Sequence, residues 1–278
     1  MLHALNSFIA LFVDSFKLFG RVKAWMLLLI IFCVNYLVLF SHTYFYEFAI
    51  SSLIIDWVNI INAQYAVAFT HYPGHYMLLP YFYGITKLIT GALFEGAILG
   101  FVAVVFYRYI IQQNTPTKYT VSSFIALWFQ LAIGWIVING LVTGGHYFLP
   151  KLLEPMLHGS PRREMIFEYV LMPGYDIIIF ALLYFAIPYT AIYRVNIFNG
   201  LLNSIKIFFT RPIFCLFLAA VIMSLPILLG LLLNQPYFIV TKFRPEMIYW
   251  MLLLSIGMDI FVNFFWMATS VGYLSDLE

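Results

Sequence analysis

Charged residues are scarce in this sequence. Asp, Glu, Lys and Arg make up 9% of its 278 residues, whereas 64% of the residues are hydrophobic and 20% are aromatic. Soluble domains contain about 25% charged and about 45–50% apolar residues, so a soluble fold with this composition would lack the polar side chains that cover a surface. The composition therefore excludes a soluble globular domain, a disordered chain and a disulfide scaffold. It predicts a multi-pass helical membrane protein.

Common catalytic signatures and nucleic-acid-binding patches are missing too. The sequence has no phosphate-binding G-x-x-x-x-G-K motif, no G-x-S-x-G nucleophile elbow and no H-E-x-x-H zinc motif. The net charge is only +2 and no basic run is longer than Arg162-Arg163, which argues against a nucleic-acid partner. The two cysteines, Cys33 and Cys215, lie in apolar runs and behave there as small hydrophobic residues. These features favour a protein without enzymatic activity, and no cofactor is predicted.

Long apolar segments are what the sequence has in abundance. A membrane-spanning helix needs roughly 20 mostly apolar residues. Six segments meet this requirement, at about 24–46, 86–110, 119–145, 171–193, 212–233 and 247–272. Two amphipathic segments, 5–21 and about 48–63, are expected to lie in the two membrane interfaces. The predicted fold is an all-α, polytopic membrane helical bundle formed by one integral membrane domain, residues 1–278.

The positions of Lys and Arg predict an orientation. With six spans, both termini lie on one side of the membrane, and that side carries eight of these residues against six on the other. Loops rich in Lys and Arg stay in the cytoplasm. Both termini are therefore predicted to be cytoplasmic.

A short match within the chain predicts an internal repeat. Residues Asp14 to Phe19 match Asn203 to Phe208 at an offset of 189 positions, and each copy precedes an apolar span. The repeated unit would be an in-plane helix, a spanning helix and a return helix. Glu95 and Asp259 lie near the middle of the two return helices, at roughly equivalent places.

One region of the sequence resembles a known bacterial superfamily. It contains Met172-Pro173-Gly174, then an apolar run to Ile187-Pro188, and then the amphipathic segment from Asn196 to Lys206. This pattern is similar to the Pro-Gly span and G-x-x-x-S helix of the superfamily that includes the membrane domain of glycerophosphodiester phosphodiesterases and several uncharacterised six-helix inner-membrane families. The small-residue run from Glu95 to Gly100 also resembles their second span. The resemblance implies a six-helix fold in a bacterial inner membrane and leaves the activity open.

The two carboxyl groups at mid-span are the first candidate site. A charged group at the bilayer centre costs roughly 2.5–3.5 kcal/mol on insertion scales, so such residues are usually paired or functional. No Lys or Arg is predicted at the same depth. The candidate substrate or ion pathway consists of Glu95, Asp259, Gln130 and Asn139. The alternative is that Gln130, Asn139 or Asn263 bonds the carboxyls as a polar contact between helices. The sequence favours this second interpretation.

Histidines on the predicted outer side are the second candidate site. His71, His75 and His146 each precede a tyrosine. Neutral imidazole is a common metal ligand, so these three residues are candidate metal ligands. Pro73-Gly74 predicts a turn between the first two, which removes the helical spacing that a metal pair would use. Interfacial anchoring by amphipathic side chains is therefore favoured over a metal site.

Three further features have structural interpretations. Asp176 follows Pro173-Gly174 and is expected to complement the dipole at the start of a helix. Pro188 is expected to kink the fourth span near its inner end. The segment from Pro150 to Glu168 has mixed charges and is predicted to be an outer, solvated loop.

The sequence as a whole favours a non-enzymatic multi-pass membrane protein. Its expected role is a subunit or scaffold of a membrane assembly, with membrane lipids and other membrane protein subunits as partners. The alternative is a small-molecule or lipid transporter that uses Glu95 and Asp259. A third hypothesis is a metal-dependent membrane enzyme built on the outer histidines.

Overall fold

The computed structural model describes residues 2–47, 51–111, 121–157 and 160–277. Within these ranges the chain forms α-helices, π-helical turns and one 3-10 turn, and no strand is present. In chain order, the α-helices are α1 (Leu2–Lys17), α2 (Val22–Thr43), α3 (Ser51–Phe69), α4 (Gly74–Thr90), α5 (Gly96–Ile110), α6 (Val121–Leu157), α7 (Pro161–Ile166), α8 (Met172–Leu183), α9 (Ala186–Tyr193), α10 (Ile197–Thr210), α11 (Pro212–Leu233), α12 (Pro236–Lys242) and α13 (Met247–Ser275). The 3-10 turn is Phe45–Glu47, and the π-helical turns are Gly91–Glu95 and Phe167–Leu171.

Six stretches of the described chain are long and apolar enough to cross a membrane. They are Val22–Thr43, Gly74–Ile110, Ser122–Leu157, Pro161–Tyr193, Pro212–Leu233 and Met247–Ser275. The prediction of an all-α, polytopic membrane helical bundle is confirmed, and the chain is an integral membrane protein. The predicted bounds agree best with the helix bounds of the structure for the fifth span, because proline and polar residues mark both of its ends. The second, third and fourth spans extend further than predicted, since their helices continue into more polar sequence.

The chain divides into two compact units. The larger unit contains Met1–Leu28, Ala92–Ser224 and Val262–Glu278, and the smaller unit contains Leu29–Gly91 and Leu225–Phe261.

The segment from Pro150 to Glu168 is mostly helical, so the loop prediction is wrong. Helix α6 passes through Pro150 and Pro155 and ends at Leu157, and Pro161 then begins α7. Each proline lacks an N–H, so the carbonyl groups of His146 and Lys151, four residues earlier, lose their helical donors, yet the helix continues through both prolines. Residues 158–159 lie outside the described residues.

Helices α5 and α6 of the larger unit approach closely at two glycines. A Cβ atom added to Gly96 would lie 2.7 Å from the carbonyl oxygen of Leu131, and a Cβ on Gly100 would overlap the Leu131 side chain. Small residues at one-turn spacing let membrane helices pack backbone against side chain. The run that begins at Glu95 is therefore a packing surface.

The fourth span is interrupted, as Pro188 predicts. Helix α8 ends at Leu183 and α9 begins at Ala186. Pro188 has no N–H, so it cannot bond the carbonyl group of Tyr184. The indole Nε1 of Trp266 donates to that carbonyl oxygen instead, at 2.9 Å.

Helix α10 packs against this interruption through Gly200 and Ser204. The Ser204 hydroxyl accepts from the backbone N–H of Phe185 at 3.1 Å and donates to the carbonyl oxygen of Leu182 at 2.8 Å. A Cβ on Gly200 would overlap the Thr190 hydroxyl, so only glycine fits there. Gly200 thus lets the amphipathic helix approach the broken span, and Ser204 makes hydrogen bonds to the backbone of that span.

The smaller unit is organised around two apolar clusters. One cluster contains Leu39, Tyr76, Leu79, Tyr83, Ile239, Ile248, Tyr249, Leu252 and Ile256. The other contains Phe45, Ile54, Val58, Ala66, Phe69 and Phe82. Helix α3 contributes Ile54 and Val58 to the second cluster and exposes Asp56, as its predicted pattern requires, but it also exposes the apolar side chains of Leu53 and Ile60.

Candidate functional site

An ion pair lies within the candidate spans of the smaller unit. The Nζ atom of Lys87 on α4 lies 2.5 Å from Oδ2 of Asp259 on α13, and the two side chains are 28% and 18% exposed. The prediction that no cation lies near Asp259 is therefore wrong. The reason is the start of the second span: the helix begins at Gly74, so Lys87 lies well inside it and not at its end.

A hydrogen-bonded chain of side chains lies beside this ion pair, since Thr86 precedes Lys87. The hydroxyl of Thr86 receives the indole N–H of Trp57 at 3.2 Å and lies 3.2 Å from Nε2 of His42. The Nδ1 atom of His42 lies 2.8 Å from the carbonyl oxygen of Val38. A carbonyl oxygen only accepts, so Nδ1 of His42 carries a proton. The single hydroxyl proton of Thr86 faces two acceptors, Nε2 of His42 and the carbonyl oxygen of Phe82 at 3.0 Å.

These contacts connect four helices of the smaller unit. Trp57, Thr86 and His42 join α3, α4 and α2, and the ion pair joins α4 to α13. In a low-dielectric environment, removal of one charge leaves the other desolvated and unpaired. The cluster therefore stabilises the helix arrangement, and its charged pair is also the feature that an ion pathway would require.

The second mid-span carboxyl lies in the larger unit and has a different partner. Nδ2 of Asn263 donates to Oε1 of Glu95 at 3.0 Å, and both residues are buried. Glu95 closes the π-helical turn Gly91–Glu95 that links α4 to α5. Of the three amide partners that the sequence offered for the carboxyls, Asn263 is the one that bonds Glu95. The polar contact between helices thus exists at this position.

Gln130 and Asn139 make other hydrogen bonds. Oε1 of Gln130 accepts from the backbone N–H of Ile197 at 3.0 Å, at the first residue of α10. Nδ2 of Asn139 donates to the carbonyl oxygen of Trp135, one turn earlier in α6. Gln130 therefore caps the amphipathic helix.

The three candidate metal ligands have different environments. His71 is exposed, whereas His75 is buried and its Nε2 atom has no hydrogen-bond partner among the described residues. The predicted turn at Pro73 is present between them, with α4 beginning at Gly74. No group of three or more His, Cys, Asp or Glu side chains in the described ranges is close enough to hold a metal ion.

His146 pairs with Asp176 in the larger unit, a contact that sequence reasoning missed. Its Nε2 atom lies 2.9 and 3.0 Å from the two carboxyl oxygens of Asp176. The helix-dipole interpretation of Asp176 is wrong, because α8 continues directly from the π-helical turn Phe167–Leu171 and has no free N-terminus there. Gly145, the residue before His146, leaves room for the ring of Tyr175, the residue before Asp176. This glycine is the signal in the sequence that lies next to the contact.

Comparisons with protein families, curated proteins and solved structures find no match for this chain. The resemblance to the glycerophosphodiester phosphodiesterase membrane domain stays a prediction.

Proposed function

We propose that this protein is a non-enzymatic component of a membrane assembly, acting as a subunit or scaffold, with both termini in the cytoplasm of a bacterial cell. The observation that carries the proposal is that polar side chains inside the spans bond other helices of the chain. Asp259 bonds Lys87, Glu95 bonds Asn263, and Ser204 bonds the broken fourth span. These contacts hold helices of the same chain together. Units whose internal polar groups are bonded in this way suit a structural subunit.

The outward surface of the first span supports the same proposal. The buried share of the most apolar window is 28% in this span and in the third span, 22% in the fifth span and 50% in the fourth span. The exposed side chains on α2 recur at helical spacing: Val22, Met26, Leu29, Ile30, Cys33 and Leu37. Lipid or a partner helix must cover this face, which we name the α2 face. A partner subunit packed there would gain contact area from large apolar side chains.

Native mass spectrometry of the protein, extracted gently from its own membrane, tests the proposal. We expect partner chains at a fixed ratio. Met26→Asn on the α2 face is expected to lower that ratio, whereas Leu228→Asn, on the exposed side of α11, is the matched control and keeps it. A chain that is always extracted alone would contradict the proposal.

Transport is a second candidate function, favoured by the ion pair between Lys87 and Asp259. Ionisable residues inside spans often mark proton or ion pathways. Internal repeats commonly frame transport sites, and the predicted repeat has Glu95 and Asp259 in its return helices. The transport hypothesis requires charge at this position.

Proton entry into liposomes containing the purified protein, followed with a trapped pH-sensitive dye under a membrane potential, tests transport. The double variant Lys87→Gln/Asp259→Asn removes both charges and keeps hydrogen-bonding groups. Transport predicts proton entry in the parent protein and its loss in the double variant. Equal proton entry in parent, double variant and empty liposomes would contradict transport.

A further inference from the structure

A cavity of about 320 Å³ lies in the larger unit, where α6 begins and where α9 connects to α10. Its wall consists of Ser123, Ala126, Leu127 and Gln130 from α6, and of residues 194–196 from the connection. One candidate span begins at Ser122, and another ends at Tyr193. The cavity therefore lies at the ends of two spans, at the level where a helix leaves the hydrocarbon region of a bilayer.

Arg194 is the charged residue of this wall, and its backbone is unusual. It has φ of 53° and ends α9 in the left-handed conformation, the only non-glycine residue among those described with positive φ. Glycine is the usual residue at this position of a helix end, because other side chains are strained there. The chain has an arginine at a position where the backbone favours glycine. The chain thus has a cationic side chain, where a glycine would have none, at the wall of the cavity.

The neutral polar groups of the wall also favour an anion. The side-chain oxygens of Gln130 and Asn196 accept from the backbone N–H groups of Ile197 and Phe198. The polar groups that remain on these two amides are N–H donors. Among the described residues, none that lines the wall carries a carboxylate. A guanidinium group has five N–H donors in a fork that matches phosphate oxygens, so it can hold a phosphate alongside another contact.

We propose that this cavity binds a phosphate group, with Arg194 as the binding residue. The phosphate belongs either to the headgroup of an anionic lipid or to a small soluble phosphate ester, because the two present the same oxygens. The location at the ends of two spans suits a lipid headgroup, and the apolar side chains of Ala126 and Leu127 suit its glycerol and upper acyl carbons. This inference is independent of the role in a membrane assembly.

Native mass spectrometry of the full chain in detergent tests the site. The probes are phosphatidylglycerol, diacylglycerol with the same acyl chains and no phosphate, glycerol 3-phosphate and inorganic phosphate. We expect one phosphatidylglycerol molecule to bind about tenfold more tightly than diacylglycerol, as loss of one charge-assisted contact predicts. Arg194→Gly should abolish this preference with little change in melting temperature, because relief of the left-handed backbone offsets the loss of the arginine's other contact. Displacement by glycerol 3-phosphate or inorganic phosphate would identify a soluble ligand.

Two further variants keep the test decisive. Ala126→Trp fills the cavity and leaves the charge in place, so it should also remove the preference. Lys17→Gln removes one charge from an exposed pair with Asp14, at a different cavity, and should leave the preference unchanged. Equal phosphatidylglycerol binding by the parent, Arg194→Gly and Ala126→Trp proteins would overturn the proposal. So would equal binding of all four probes by the parent protein.

Discussion

The hydroxyl of Ser204 is a clear case of a polar side chain that replaces water inside a span. It bonds both the N–H of Phe185 and the carbonyl oxygen of Leu182, two backbone groups that the break in the fourth span leaves without helical partners. Ser15 is the matching residue at the offset of 189, and within the described ranges its hydroxyl bonds the carbonyl oxygen of Leu11 in its own helix and no other residue. The two serines therefore differ in how much structure depends on them.

Ser204→Ala should destabilise the protein by about 1–3 kcal/mol, because two buried backbone groups lose their partner. Ser15→Ala should cost less than about 1 kcal/mol, since the carbonyl oxygen of Leu11 already belongs to a helix. Thermal unfolding in detergent measures both changes. Equal melting temperatures for the two variants would contradict this account of Ser204.

The ion pair between Lys87 and Asp259 makes a second prediction at this scale. Asp259→Asn or Lys87→Gln alone should cost about 3 kcal/mol, because each leaves one charge unpaired, and the partial exposure of the pair keeps the cost at the low end of the range for buried pairs. The double variant should recover most of this loss. Melting temperatures of the two single variants and the double variant check the prediction. A double variant less stable than either single variant would contradict it.

Sequence reasoning located some of these residues and missed their partners. Glu95 and Asp259 stand out because a carboxyl is rare in an apolar run, and Asn263 was among the amides considered for them. Lys87 was missed because the apolar run that marks the span begins after the helix does. The contact between His146 and Asp176 joins residues 30 positions apart, and a sequence pattern does not specify which helices are neighbours.

Among the elements, α10 depends most on close packing. A Cβ on Gly200 would overlap the hydroxyl of Thr190 and lie 2.9 Å from the carbonyl oxygen of Ala186. The resemblance to the G-x-x-x-S helix drew attention to Gly200 and Ser204, and both residues contact the interruption between α8 and α9. Because the two residues are one helical turn apart, one face of α10 makes both contacts.

Gly200→Ala should therefore destabilise the protein by about 1–3 kcal/mol through overpacking. Adding Thr190→Ala should recover part of the loss, because the hydroxyl is the nearer of the two obstacles. Gly257→Ala on α13 is the matched control, since nothing lies within 4 Å of its added Cβ, and its effect should stay within about 1 kcal/mol. These changes are read from melting temperatures. A Gly200→Ala protein as stable as the control would show that α10 is not packed this closely.

The sequence predicts which helices exist better than it predicts where they end. Long apolar runs identify spans because a helix is the way to satisfy backbone groups in lipid. The end of an apolar run is not the end of a helix, so α6 continues through Pro150 and Pro155, and the fourth span begins at Pro161. The break before Pro188 was predictable because proline removes a specific hydrogen bond.

For the whole molecule, composition alone determined the class. A chain with 9% charged residues needs a lipid environment, and six candidate spans are present in the described ranges. Composition does not determine the role of the protein, because polar residues at mid-span serve packing in some membrane proteins and transport in others. The contacts favour packing, since Asp259 and Glu95 each bond another helix of the chain.

The most direct test compares the parent protein with the variant Lys87→Gln/Asp259→Asn by native mass spectrometry, after gentle extraction from the native membrane. The account predicts partner chains at one fixed ratio in both proteins, because the charges serve stability and the partner binds elsewhere. A parent protein that is extracted alone, or a folded double variant that has lost its partner, would contradict it.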